Sequence, residues 1–309
     1  MRAVVVKEYG EPPLLTEFPD PQGEWATVIA ASANPADILV AAGRMAPRRP
    51  EPPLVLGLDG VARLGDGTVV QFSGPPTPYG AYAERIPLER TETHPLPAGL
   101  DPSLAAALGV SGTAAWGGLT VTGSIEAGES VLVLGANGQV GRVAVQAARL
   151  LGAARVVGVV SSDAQSSGVM ELGADAVVST SDLATLADRL REAAPNGCNL
   201  VIDALWGPVI ATVIPSLAFG ARVVQIGNSA GADATISAPA FRSRSVSFLP
   251  HASLRMTPAQ RGAVLGQLLD AAAAGRIVVE REDIPLADLP ARWADLVGGR
   301  VKDKLVVVP

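Results

Sequence analysis

Apolar and polar positions along this chain fall into two rhythms. Up to about residue 100, short apolar runs alternate with turn residues. Residues 3–6, 25–31, 60–64 and 69–72 read as strands, and Gly65-Asp66-Gly67 reads as the turn between the last two. Prolines cluster at 47–53 and 75–78, as loops do. An alanine-rich stretch, residues 103–119, predicts a helix broken near Gly109 to Gly112. From Val131 onward strand and helix patterns alternate. Strands are expected at 131–135, 155–160, 176–179, 200–205, 221–226 and 246–249, with helical segments between most of them. That alternation predicts a parallel sheet covered by helices. A helix over 258–274, a short strand at 277–279 and a terminal strand at 304–308 follow. The simplest organisation is a β-rich domain built from both ends of the chain, residues 1–111 with 253–309. A nucleotide-binding domain, residues 112–252, is inserted between them.

The strand at 131–135 runs straight into Gly135-Ala136-Asn137-Gly138-Gln139-Val140-Gly141 and then into a helical pattern carried by Val140, Val143, Ala144, Ala147 and Leu151. Gly152 stands where that helix would stop. Strand, glycine turn and helix together are the context in which a glycine fingerprint carries meaning. Gly135 and Ala136 allow a tight turn, Gly138 lets backbone approach a pyrophosphate, and Gly141 lets the helix press on the strand. The helix N-terminus offers N–H groups and a positive dipole end to phosphates. Ala136 stands in for the usual first glycine. An ordinary strand-to-helix turn is the bland alternative.

Composition narrows the class. The chain has 309 residues, enough for about two domains, and 48% of them are hydrophobic, enough for a large core without disulfides or metal. Aromatics make up 4%, so the core relies on Ala, Val and Leu. The net charge of −6 argues against nucleic acid and anionic membrane as partners. The one short basic cluster, Arg44, Arg48 and Arg49, lies among prolines and reads as a solvated loop. A single cysteine, Cys198, excludes an internal disulfide and fits a reducing cytoplasm. The opening Met-Arg-Ala-Val-Val-Val-Lys reads as a strand rather than a signal peptide, and no membrane span is expected.

Several short motifs occur in a fixed order along nearly the whole chain: Asn34-Pro35-Ala36-Asp37, Leu56-Gly57-Leu58-Asp59-Gly60, Gly80-Ala81-Tyr82-Ala83-Glu84, Thr113-Ala114-Ala115-Trp116, Gly135 to Gly141, Leu172-Gly173-Ala174-Asp175, Asp203, and residues 221–227. As an ordered set they resemble the medium-chain dehydrogenase/reductase superfamily, in its zinc-independent, zeta-crystallin-like quinone oxidoreductase branch. The resemblance implies an α/β fold, a Rossmann doubly wound parallel sheet plus a GroES-like β-rich partial barrel, with the active site in the cleft between them. Zinc-dependent members place Cys and a His-Glu pair around a metal, where this chain has Asn34 and Leu58-Asp59. One Cys and two His, His94 and His251, supply no ordinary zinc site, so no metal is expected. His94 reads as a surface histidine in a loop.

The strand after the fingerprint helix ends in Val160-Ser161-Ser162, where NAD-binding members place an acidic residue for the ribose 2′-OH. Its absence permits NADPH, with Ser161 and Ser162 as donors to the 2′-phosphate. Asp163 nearby, and Gln165 where a lysine often stands, keep NADH open. Gly227, Asn228 and Ser229 are expected beside the nicotinamide.

The expected reaction is metal-free hydride transfer from NADPH to a quinone or an α,β-unsaturated carbonyl. Asn34 is the candidate donor to the oxygen that gains charge, and Asp37 either orients it or closes a local turn. Turn chemistry is the alternative for Asn34-Pro35. Relatives often carry a tyrosine where this chain has Met45, which favours protonation by water. Two rival readings stand beside this one. One is a nucleotide-binding protein that has lost catalysis. The other is a serine hydrolase using Ser229, Asp233 and His251, suggested by Gly227-Asn228-Ser229-Ala230-Gly231. Against the hydrolase, no helical pattern follows the serine. The strand from Ser245 to Leu249 is apolar and lies at the far end of the nucleotide-binding domain, so a homodimer joined through that edge is expected.

Overall fold

A computed structural model describes residues 1–45 and 50–309. Arg48 and Arg49 of the basic cluster lie outside the described residues. The chain divides into two compact units, residues 1–110 with 265–309, and residues 111–264.

The first unit opens with β1 (Arg2–Val6), β2 (Leu14–Glu17), β3 (Trp25–Ser32) and α1 (Pro35–Ala41). It continues through β4 (Leu54–Val55), β5 (Asp59–Arg63), β6 (Val69–Ser73), β7 (Arg85–Pro87) and β8 (Glu92–Pro95), and leads into α2 (Pro102–Gly117). The second unit contains β9 (Ser130–Leu134), α3 (Gln139–Leu150), β10 (Arg155–Val160), α4 (Ser166–Glu171), β11 (Ala176–Ser179) and α5 (Leu183–Ala193). After these come β12 (Leu200–Asp203), α6 (Gly207–Val213), β13 (Arg222–Gln225), α7 (Ala238–Arg244) and β14 (Ser247–Pro250). Along α8 (Pro258–Ala273) the chain returns to the first unit, to which β15 (Arg281–Pro285), α9 (Leu289–Val297) and β16 (Lys304–Val308) belong.

The first unit holds a small sheet, β2-β1-β4, and a larger one ordered β15-β16-β3-β5-β6-β8, with β7 also on β3. Along β3 exposed and buried residues alternate from Trp25 to Val28, as they do when one sheet face is wet. The pairing with β5 then slips between Val28 and Ala30, and Ala30, Ala31 and Ser32 are all buried. Ser32, at the end of the strand, thus carries a hydroxyl into the interior. Leu56, Phe72, Tyr82, Ile86 and Trp293 are among the large side chains that fill the core beneath.

The second unit is a six-stranded parallel sheet ordered β11-β10-β9-β12-β13-β14. Counted from β9 that order is 3-2-1-4-5-6, the doubly wound arrangement of dinucleotide-binding domains, whose strand order reverses between β9 and β12. Strands β9, β10 and β12 are buried almost throughout, as parallel strands covered on both faces must be. Helix α3 buries Val143, Ala144 and Ala147, and Gly152 ends it at φ +92°. Strand β14 lies at one edge of the sheet.

Three expectations are corrected. Helix α2 runs unbroken through Gly109 and Gly112, and a short π-helix, Gly118–Thr122, continues from it. Residues 277–279 form no strand. Ile277 is instead fully buried just beyond α8, and the edge strand is the polar run Arg281–Pro285, parallel to β16. An edge strand need not be apolar, so hydropathy did not mark it. His94 lies in β8, opposite Gln71, rather than in a loop. The stretch Pro102–Thr122 is long and apolar enough to cross a membrane by length and composition, but 72% of its apolar window is buried inside the protein, as in a core helix.

Candidate functional site

The turn after β9 is built by backbone geometry. Gly135 takes φ +80°, a conformation side chains disfavour, and both Gly135 and Ala136 donate their N–H groups to Val159 O, at 3.0 and 2.8 Å. A Cβ on Gly141 would stand 2.1 Å from Gly135 O and 2.7 Å from Ala136 Cα, so only glycine lets α3 begin this close to the strand end. Ala136 is tolerated in the place of a glycine because Gly158 on β10 leaves room, its absent Cβ falling 3.0 Å from the Ala136 methyl. Gly138, extended at φ −75° and ψ 168°, is the N-cap of α3, and Gln139, Val140 and Gly141 form the first helical turn. The turn Gly135–Gly141 therefore presents a helix N-terminus at the carboxyl edge of the sheet, beside the reversal of strand order, where anionic groups are favoured. Asn137 Oδ1 accepts from Arg142 at 3.4 Å, and Gln139 Oε1 from Ser111 at 3.4 Å. A Cβ on Gly138 would meet Gly135 O at 3.2 Å and no other described atom within 4 Å outside its chain neighbours, so backbone here is open to the close approach of a pyrophosphate, which a dinucleotide would supply.

The remaining residues expected at the cofactor sit on the same edge. Ser161 and Ser162 follow β10 and are exposed, and the Ser161 hydroxyl donates to Gln165 Oε1 at 3.0 Å. Gly227, Asn228 and Ser229 follow β13. Their loop is stitched to the end of β12: Gly227 N–H donates to Asp203 O, and the Ser229 N–H and hydroxyl both donate to Ala204 O. The first carboxylate oxygen of Asp203 accepts the Leu205 and Trp206 N–H groups, each at 2.8 Å. Trp206 is held at φ +55°, a costly conformation outside glycine.

The first unit carries a second constellation, a fully buried polar cluster. Asn34 is 1% exposed and Asp37, Asp59 and Ser32 are 1% or less. The Lys304 ammonium donates to Asn34 Oδ1 at 2.6 Å and to Ala33 O at 2.9 Å. The Asn34 amide in turn donates to Asp59 Oδ1 at 3.0 Å and to Ser32 Oγ at 3.0 Å, and the Ser32 hydroxyl donates to Asp59 Oδ1 at 2.7 Å. The other Asp59 oxygen accepts the Val110 N–H at 2.7 Å. A Cβ on Gly109 would lie 1.6 Å from that oxygen, which explains a glycine inside an unbroken helix. Asp37 Oδ2 accepts the Asn34 N–H and the Tyr82 hydroxyl, both at 2.7 Å. The turn-closing role of Asp37 is thus seen directly, at the start of α1.

Burial governs the protons here. It pushes the Asp37 carboxyl up to about 7, against the Tyr82 and Asn34 hydrogen bonds. Burial also pulls Lys304 down to about 8, against the attraction of Asp59 and Asp37, and raises Asp59. Between about pH 4 and the Asp37 value the folded protein holds a proton that the unfolded chain has released, so stability falls as pH rises through that window. Asp37→Asn keeps an acceptor for both donors and cannot ionise. In urea denaturation, wild type is expected to lose stability relative to Asp37→Asn between about pH 5 and pH 7.5. Parallel pH profiles for the two proteins would disprove it.

Ser229, Asp233 and His251 do not assemble a triad. The Ser229 hydroxyl is on Ala204 O, while the His251 ring meets Thr122 and Ser253. Cys198 is buried, with its thiol pushed up to about 12, which makes it a poor nucleophile. Lys304, Ser32, Tyr82 and Gly109 were not foreseen in any site. A lysine opening an apolar strand gives no sign in sequence that it points inward.

A protein-family profile described as "Zinc-binding dehydrogenase" matches residues 140–261. Rat (Rattus norvegicus) quinone oxidoreductase is 31% identical over 243 residues, 74% of this chain and 73% of the rat protein. The mycocerosic acid synthase-like polyketide synthase of Mycobacterium tuberculosis is 29% identical over 222 residues, 68% of this chain and 10% of that much longer protein. Among solved structures, the quinone oxidoreductase of Thermus thermophilus, determined also in complex with NADPH, superposes with a TM-score of 0.82 at 30% identity, covering 100% of both chains. The zinc of the profile's description finds no matching donors around Asn34. An ammonium already occupies Asn34 Oδ1 and Ala33 O, and the remaining donors are a hydroxyl and two carboxylates engaged with one another's neighbours. Ordinary zinc sites take three or four Cys, His or carboxylate ligands. Among the described residues no group of three or more His, Cys, Asp or Glu is placed to hold a metal ion. These residues do not fit zinc.

Proposed function

Because the chain belongs to the medium-chain dehydrogenase/reductase superfamily, as a quinone oxidoreductase-like NAD(P)H-dependent oxidoreductase, we propose that it reduces a quinone or an α,β-unsaturated carbonyl with NADPH and without metal. The observation that carries this reading is the pairing of a dinucleotide turn, closed by Gly135 and Gly141, with a buried Asn34 cluster whose cation is an ammonium. When bound, the dihydronicotinamide supplies a hydride, two electrons with one proton, and water supplies the second proton. The charge that develops on the acceptor oxygen of a conjugated carbonyl or quinone is spread over the conjugated system. Hydrogen-bond donors suffice to stabilise it, where an isolated alkoxide calls for a stronger electrophile. In this reading the Asn34 amide exchanges its hydrogen bond to Ser32 Oγ for one to that oxygen. Asp37 fixes the Asn34 backbone, and Lys304 biases the amide by holding its oxygen.

The 2′-phosphate is assigned to Ser161 and Ser162, where the hydroxyl now on Gln165 can turn to a new acceptor. Turnover should be measured with NADPH and with NADH over a panel of quinones and enones, on wild type and on Ser161→Asp. Wild type is expected to reduce at least one acceptor class faster with NADPH. Ser161→Asp is expected to lose about tenfold or more in NADPH affinity, and less in NADH affinity, because a carboxylate there repels the phosphate. Absence of turnover across the panel would refute the reductase reading, and equal losses for the two cofactors would remove Ser161 from the 2′ position.

A further inference from the structure

The serine assigned to the 2′-phosphate already has an acceptor, and that acceptor belongs to the chain itself. Ser161 follows β10 directly and stands 20 residues past Gly141, the spacing at which dinucleotide-binding domains hold the ribose 2′ position. Just before it, Val159 O accepts the N–H groups of Gly135 and Ala136, so Ser161 emerges beside the dinucleotide turn.

Ser161 aims two hydrogens at one point. Its N–H donates to Gln165 Oε1 at 3.2 Å, and its hydroxyl donates to the same oxygen at 3.0 Å. A carbonyl oxygen has two lone pairs, and these two bonds use both. Gln165 is brought round by the short 3₁₀ turn Asp163–Gln165, where its own N–H donates to Ser162 O at 3.1 Å. A backbone N–H and a hydroxyl converging on a single oxygen is also an arrangement that suits an oxygen of a phosphate.

We infer that Gln165 is a specificity-determining residue: its amide oxygen occupies the place of a 2′-phosphate oxygen and must leave before NADPH is fully bound. This rests on the NADPH reading above. The exchange is favourable, because hydrogen bonds to a phosphate are charge-assisted and roughly twice as strong as neutral ones. Its cost falls on one cofactor alone. NADH carries a hydroxyl at the 2′ position and leaves the two Ser161–Gln165 bonds in place, whereas NADPH breaks both. The glutamine thus narrows the preference for NADPH that the serines create. Ser161 is exposed, so water takes up every group released, and the effect is a modest factor rather than a closed gate.

Calorimetric titration with two probes isolates the phosphate: adenosine 2′,5′-bisphosphate carries it, and adenosine 5′-monophosphate does not. Gln165→Ala is expected to bind the bisphosphate about threefold or more tighter than wild type, with monophosphate affinity unchanged. Gln165→Glu sets a charged acceptor on the same donors and should weaken the bisphosphate about tenfold. Ser161→Ala removes the hydroxyl for which Gln165 and the phosphate compete. Adding Gln165→Ala to it should therefore gain less than the same change gains in wild type. Bisphosphate affinity that stays the same or falls in Gln165→Ala overturns the inference. So does an equal gain for both probes, or an equal gain with and without the Ser161 hydroxyl. If wild type and Gln165→Ala alike bind the bisphosphate no more tightly than the monophosphate, the NADPH assignment itself fails and this inference falls with it. Unaltered monophosphate binding certifies that each variant is folded.

Discussion

Lys304→Met is expected to cost about 3–5 kcal/mol of stability at neutral pH, the usual penalty for removing one member of a buried charged set. The ammonium is the only cation in the described part of the cluster, and Asn34 Oδ1 and Ala33 O accept from it directly. Without it, Asp59 and Asp37 face each other with no compensating charge, and the Asn34 carbonyl loses its charged donor. A loss of this size consumes much of the roughly 5–15 kcal/mol that holds an ordinary domain together. Urea denaturation of the variant measures it. Adding Asp59→Asn to Lys304→Met should restore part of the loss, because the second change removes the orphaned charge instead of deepening it. A cost under about 1 kcal/mol for Lys304→Met would mean that water already reaches the cluster, and the arrangement described here would be wrong.

The second large effect is expected at Gly141. In Gly141→Ala the added methyl meets Gly135 O at 2.1 Å and Ala136 Cα at 2.7 Å, and both are backbone atoms that no rotamer change can move aside. Relief requires α3 to lift off the end of β9, at about 1–3 kcal/mol or more. The helix N-terminus would then be carried away from the phosphates, so NADPH affinity should fall by more than about tenfold. Gly138→Ala is the informative partner: its methyl would lie 3.2 Å from Gly135 O, a contact that small shifts relieve. Thermal unfolding should therefore rank Gly141→Ala well below Gly138→Ala in stability. The reverse order would show that the closeness of helix and strand is not what Gly141 provides.

Much of this was readable in the sequence, for identifiable reasons. The parallel sheet announced itself because strands buried on both faces are runs of Val, Ile and Leu, such as Val131–Leu134 and Leu200–Ile202. The turn at Gly135–Gly141 was legible because Gly135, at φ +80°, and Gly141, pressed on backbone, meet steric demands that other residues satisfy poorly. The polar cluster was not legible beyond Asn34 and Asp37. Its members come from β3, α1, β5, α2 and β16, and nothing local to Lys304 or Gly109 distinguishes an inward lysine from a surface one, or a helical glycine that clears a carboxylate from one that breaks a helix. The strand Arg281–Pro285 was hidden for a related reason: its hydrogen bonds to β16 define it, and its side chains are mostly outside the core. Gly109 also shows how a local rule is overridden, since its helix propensity cost of about 1 kcal/mol is outweighed by the hydrogen bond from Val110 N–H to Asp59.

The cluster joins groups that the ribosome delivers far apart in time. Lys304 follows Asn34 by 270 residues, which at ordinary rates of synthesis, about 5–20 residues per second, is a delay of tens of seconds. Throughout that interval the nascent chain has displayed Asn34, Asp37 and Asp59 without their cation. The parallel-sheet unit, by contrast, is one continuous stretch, residues 111–264, and every one of its strands has emerged before Lys304 is made. Folding during synthesis is therefore ordered by the layout of the chain: the parallel-sheet unit can close first, and the unit that holds the Asn34 cluster must wait for β16 to pair with β3 and lock its charges in place.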